Sequence, residues 1–196
     1  MLHYQNPMNL MKKIKIEDLE NNILQNDKIL KELQHGTDRS RAIVGATIIE
    51  TQLEKLLSIH LVNNSKLKKK SFDYNGFLGT FSAKINACFL LGLISKKLYN
   101  DIDRIRDIRN TFAHNLINCD FNRPDIKSEV HKLKLLQEAF SSNWEKQNVP
   151  MMFLMEVSLI YVALIKKIVR NKPINELPYE IDDLGLEDID YDYLKK

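Results

Sequence analysis

What this chain has little of narrows it quickly. Its 196 residues include only six glycines, five prolines and two cysteines. So few turn formers, beside long periodic segments, point to an all-α fold and away from many short strands. Cys88 and Cys119 are too few for a disulfide framework; Cys88 lies among apolar residues and reads as core, which implies a reducing, cytoplasmic home. Polar residues interrupt Met1 to Met11, so the start has no signal-peptide-like apolar run. The longest apolar stretch, 151–165, is broken by Glu156 and Ser158. It falls short of the ~20 residues a membrane span requires, so it reads as a central core helix and no membrane partner is expected. There is no internal repeat, Gly-rich phosphate loop, Cys/His zinc spacing or Gly-x-Ser-x-Gly elbow, and no helix-turn-helix signature. No metal site or cofactor is expected.

Charge is present but unevenly placed. Residues 176–196 carry eight acids, Glu176, Glu180, Asp182, Asp183, Glu187, Asp188, Asp190 and Asp192, against Lys195 and Lys196, a net of −6. The other 175 residues hold 27 basic and 18 acidic side chains, a net of +9. A basic body permits RNA or DNA contact, and it equally suits a soluble domain with an acidic end.

Periodicity predicts a single-domain bundle of about six helices. Residues 1–15 read as a flexible start, 16–172 as the helical domain and 173–196 as an acidic tail. A first helix over Glu17–Gln34 presents Leu19, Ile23, Leu30 and Leu33 and stops at Gly36. Thr37 or Asp38 caps a second helix to about Val62, with Ile43, Ala46, Leu53 and Leu57 on its stripe and Ile49 and Leu56 broadening it. Glu50 fills the gap in that stripe, either as a rim residue or as half of a buried pair. Asn63–Asn75 reads as a loop, strongly basic through Lys66, Lys68, Lys69 and Lys70. Those lysines are a solvated run or, beside a phosphate-handling site, a nucleic-acid footprint. Thr80 caps a short helix with Phe81, Ile85, Cys88 and Phe89 inward, and Gly92 closes it. A fifth helix starts at Pro124 and carries Ile126, Val130, Leu133, Leu136 and Phe140, with Trp144 anchoring its end. Pro150 opens the sixth.

The fourth helix carries the most informative stretch. Ser95 is its N-cap, and Leu98, Ile102, Ile105, Arg109, Phe112 and Leu116 recur near the helical period. Arg109 thus occupies an apolar-stripe position, where a guanidinium is either paired to a carboxylate or opened onto a cleft. Glu50 is its acidic counterpart, and breaking such a pair, if buried, costs about 3–5 kcal/mol. Asn110 and His114 are four residues apart and share a face beside the stripe. An amphipathic helix with a snorkelling arginine and a C-terminal histidine is the plainer account.

Arg109-Asn110-Thr111-Phe112-Ala113-His114, late in a helix and preceded by isoleucines, resembles the Arg-x4-6-His signature of the HEPN superfamily. Together with Gly76-Phe77-Leu78-Gly79-Thr80-Phe81 and Leu91-Gly92-Leu93-Ile94-Ser95, the stretch from about 40 to 116 is similar to the mannitol operon repressor-like branch. The resemblance implies an all-helical homodimer. It also implies a metal-independent endoribonuclease of toxin or phage-defence type, with Arg109, Asn110 and His114 as catalytic residues; in that reading Glu50, from its own place on the second helix's stripe, orients Arg109.

That chemistry is coherent. RNA supplies its own 2′-hydroxyl nucleophile, so cleavage needs a base near neutral pKa and a cation on the phosphate; His114 and Arg109 suit these tasks. A second copy of His114 in a dimer would supply the acid. The alternative from the same resemblance is a noncatalytic transcriptional regulator acting as a dimer through protein partners. The partners are accordingly RNA in the first case, and an antitoxin or transcription factor in the second.

Overall fold

The computed structural model describes residues 32–115, 117, 119–139 and 148–170. Seven helices are complete within them: α1 (Asp38–Ile59), α2 (Ser65–Phe72), α3 (Phe81–Leu90), α4 (Lys96–His114), α5 (Pro124–His131), α6 (Lys134–Ala139) and α7 (Val149–Arg170). The all-α, single-domain reading holds, and no strand occurs among the described residues. Among them, too, no helix is long and apolar enough to cross a membrane. Of the predicted first helix only the turn at 32–35 is described, with Leu33 buried. The expected flexible start, the acidic tail, Phe140 and Trp144 lie outside the described residues.

Local chemistry sets the helix starts. Thr37, Asn64, Thr80 and Ser95 each accept a hydrogen bond from the backbone N–H three residues on, at 3.1–3.3 Å. Each thereby satisfies one of the orphan donors of its helix. Gly92 ends the α3 turn with φ of +69°, which only glycine adopts freely, and Leu93 N donates to Cys88 O at 2.8 Å.

The core is organised by α1 and α7. Gly45 lies against Phe153 and Val157, where an added Cβ would sit 3.1 and 3.2 Å from their side chains. Leu33 and Ile48 share a second cluster with Tyr161 and Ile165. α3 and α4 pack on α1, while α5 and α6 close over α4 and α7. Phe112, Phe121 and Phe153 join the layers, with ring centroids 4.9 and 5.0 Å apart, and all three are fully buried. Burying each such ring is worth about 1.5–3 kcal/mol. As expected, 151–165 is a core helix, with Phe153, Ile160 and Leu164 inaccessible, although Met151 is exposed.

Four expectations need correction. Asn63–Asn75 is not a loop: Ser65–Phe72 is helical, capped by Asn64. Its lysines are good helix formers, but it buries no residue, so no apolar period marks it. α1 ends at Ile59 rather than Val62. Ile43, assigned to its buried stripe, is 36% exposed. The single fifth helix is two, broken at Lys132–Leu133, because α6 begins where buried carboxylates receive its N–H groups. Asp101 accepts from Lys134 N and Leu135 N, both at 3.1 Å, and Glu156 from Leu136 N at 2.7 Å.

Candidate functional site

The apolar stripe of α4 places Leu98, Ile102, Ile105 and Phe112 in the core, and Arg109 emerges from the same face near its end. Its side chain is 31% exposed. The guanidinium approaches Glu50 on α1, Nη2 to Oε2 at 3.8 Å, and sits 5.8 Å from the centroid of the Phe81 ring. The pairing between α1 and α4 is therefore an ion contact without a hydrogen bond. Its partial exposure removes it from the class of buried pairs whose disruption costs several kcal/mol.

Glu50 has a nearer partner. Lys84 of α3, only 5% exposed, places Nζ 3.0 Å from Glu50 Oε1 and 2.9 Å from Glu54 Oε2. Burial pulls the Lys84 pKa down, but the hydrogen bonds to Glu54 and Glu50 outweigh it and the net shift is upward. The ammonium stays charged. Two carboxylates and two cations thus form an internally neutralised quartet joining α1, α3 and α4. Lys84 and Glu54 escaped the sequence reading, yet both left a trace. Lys84 falls among the inward positions of α3, between Phe81 and Cys88, and Glu54 follows Glu50 by one helical turn.

The last turn of α4 is held from α1. Arg39 Nη1 donates to Phe112 O, and Nη2 donates to Asn115 O at 2.5 Å. Asp38 Oδ2 accepts from Phe121 N at 3.0 Å and fixes the segment that follows. A cation on the free carbonyls of a helix C-terminus is favourable. Arg39 is the positioning residue that the sequence reading missed, because it shows no pattern of its own.

Asn110 is half-buried and His114 exposed. Neither side chain makes a hydrogen bond with a described residue. Five residues separate Arg109 from His114, so at 3.6 residues per turn they lie about 140° apart around the helix. Within one chain, Arg109 turns toward α1 and α3, while His114 and Asn110 look elsewhere. Lys66, Lys69 and Lys70 on α2 are exposed; Lys68 donates to Ser58 O at the end of α1, at 2.6 Å. Among the described residues, no group of three or more His, Cys, Asp or Glu side chains is placed to hold a metal ion.

Set beside known proteins, the chain matches the family model described as MtlR, mannitol repressor, over residues 25–171. It is also similar in structure to a chain from the X-ray structure of the MtlR–HPr complex from Escherichia coli. The TM-score is 0.54 and the identity 21%, covering 72% of this chain and 96% of that one. At that identity the likeness carries the fold. No curated protein matches the sequence.

Proposed function

The chain belongs to the mannitol repressor family, and on that premise we propose that it is a noncatalytic regulator of transcription. It acts in the cytoplasm, as a homodimer, by binding a protein partner rather than by cutting RNA. The observation that carries this reading is the neutral quartet. Arg109, the residue that would clamp a phosphate, already faces Glu50, which Lys84 and Glu54 complete. A clamp needs uncompensated charge aimed at the developing anion, and this cation is compensated within the fold. His114 lies on another side of α4 with no orienting hydrogen bond among the described residues, whereas a general base is normally held in place by one. That a protein of this fold has been solved with HPr supports a protein partner. The dimer rests on two adjacent leucines, Leu90 and Leu91, which are 82% and 56% exposed.

The test has two arms on the full-length chain. Titration calorimetry against HPr from the same organism should give saturable binding. Single-stranded RNA incubated with the chain in EDTA should remain intact. An absence of any binding heat removes the partner named here. RNA cut to 2′,3′-cyclic phosphate ends, with the activity lost in His114→Ala at unchanged melting, overturns the reading in favour of a HEPN-type ribonuclease using Arg109, Asn110 and His114. A sedimentation mass equal to the 22.9 kDa monomer removes the dimer.

A further inference from the structure

One surface plays no part in the quartet or the motif: α2 and the turn that follows it. Lys66, Lys69 and Lys70 recur at i, i+3 and i+4, so they share one face of α2. All three are exposed, and none pairs with a carboxylate of a described residue. Lys68 instead donates to Ser58 O at 2.6 Å, which ties α2 to the end of α1. Just past the helix, Tyr74 is 88% and Phe77 71% exposed; they are the only exposed aromatic side chains among the described residues. The turn that carries them is built from the core side. Leu78 is buried, and its N–H donates to Ser71 O at 2.9 Å. Gly76 and Gly79 pass so close to the backbone that an added Cβ would overlap Ser71 O and Asp73 O respectively. The display of both rings is thus a property of a fixed turn, not of a loose loop.

We propose that this surface binds single-stranded RNA, with phosphates along the lysine face and bases on the two rings. Charge sets the sign of the partner. Residues 65–77 carry Lys66, Lys68, Lys69 and Lys70 against Asp73 alone, a net of +3. The rings set its form. An exposed aromatic face stacks on any base, but only on one free of a duplex. Tyr74 and Phe77, with Leu67, Lys70 and Asp73, line a groove of about 690 Å³, which has room for a nucleoside. Lys66 and Lys69 do not line it; they lie on the helix face beside it, so the strand runs along α2 and turns a base into the groove. Asp73 decides between RNA and DNA. Its carboxylate and the Lys70 ammonium line the same groove without forming an ion pair. A carboxylate there repels phosphate, yet it accepts a hydrogen bond from a ribose 2′-hydroxyl, a group that DNA lacks. The proposal does not rest on the regulatory reading above.

Fluorescence anisotropy on the full-length chain in EDTA tests this, with end-labelled oligo(U) and oligo(dU) of about 12 nucleotides. The two probes differ only in the 2′-hydroxyl. Oligo(U) should bind saturably and about tenfold more tightly than oligo(dU), and an RNA duplex should bind more weakly than either. Three phosphate contacts predict a slope of about −2 for log K against log salt concentration. The triple variant Lys66→Ala, Lys69→Ala, Lys70→Ala keeps good helix formers in α2 and should bring that slope close to zero. Tyr74→Ala with Phe77→Ala should weaken binding about tenfold or more at an unchanged slope, and Tyr74→Phe should retain it. Asp73→Ala should make oligo(U) and oligo(dU) bind alike. All these side chains are exposed, so thermal unfolding of each variant should match the unaltered chain. No saturation up to ~100 µM, the weak end of non-specific affinity, overturns the proposal. So does equal binding of oligo(U) and oligo(dU) by the unaltered chain, or a salt slope that survives the lysine variant. Displacement of oligo(U) by poly-glutamate as readily as by unlabelled oligo(U) assigns the surface to an acidic peptide and overturns it as well.

Discussion

Two groups of charges sit on apolar stripes in this molecule, and the fold deals with them differently. Asp101 and Glu156 are fully inaccessible and face no cation; the first three N–H groups of α6 receive them instead. Burial, reinforced by the neighbouring Asp101 carboxylate, pushes the Glu156 carboxyl up to about 8, so it is largely neutral at pH 7. Glu50, Glu54, Lys84 and Arg109 solve the same problem by mutual pairing at the surface of the core, where three of the four still reach water. The deep pair shapes the backbone, since it decides where α6 begins. The outer quartet docks three helices and spends its charge doing so.

That contrast can be broken at its strongest point first. Asp101→Ala should destabilise the fold by about 3 kcal/mol, because two part-buried N–H groups at the start of α6 lose their acceptor. In thermal unfolding this corresponds to a drop in Tm of roughly 6–12 °C. A loss under ~1 kcal/mol would mean the N–H groups of Lys134 and Leu135 find water instead.

Glu156 gives the comparison a pH signature. The carboxyl loses its proton near 4.5 in an ordinary setting and near 8 in the fold. Between those values the folded chain holds more protons than the unfolded chain, so stability falls as pH rises, with a slope of up to ~1.4 kcal/mol per unit. Glu156→Gln, which keeps an acceptor for Leu136 N, should flatten that slope. The variant should therefore gain on the wild type between pH 5 and pH 8 in urea unfolding, and a constant difference would contradict the assignment.

The quartet should yield less. Lys84→Met leaves Glu50 and Glu54 facing each other without a counterion. The cost should be about 2 kcal/mol, below the range for fully buried pairs because Glu54 is 43% exposed. Arg109→Ala should cost about 1 kcal/mol or less, and the loss should shrink further in high salt. If Arg109→Ala proves costlier than Lys84→Met, Arg109 rather than Lys84 is the main partner of Glu50. His114→Ala should change stability by no more than ~0.5 kcal/mol, which makes it the clean probe of any activity.

Reading the sequence recovered much of this arrangement and missed specific parts of it. Ser95, Thr37, Thr80 and Pro124 announced their helices because capping is a local reaction between a side chain and N–H groups three residues away. The interruption of one stripe by Glu50 and of another by Arg109 correctly put their charges in reach of each other, at 3.8 Å. What failed had a common cause. α2 packs no side chain fully into the core, so periodicity had nothing to report. The break at Lys132–Leu133 depends on Asp101, 33 residues before Lys134, and Glu156, 20 residues after Leu136, and Glu156 looked like a simple interruption of a core helix. Phe121 seemed part of a connector, yet it is fully buried between Phe112 and Phe153.

The sequence by itself determined the all-α character, most helix starts, the apolar faces and the opposition of a basic body to an acidic tail. These follow from short-range sterics, hydrogen bonding and composition, which act along the chain. Only the tertiary structure decided which charges meet. Lys84 takes Glu50 and Glu54, Arg109 is left at the edge of that group, and Arg39 ties down the end of α4. Partner choice among buried charges depends on distances between helices far apart in sequence, and Coulomb energy in a low-dielectric interior changes steeply with those distances.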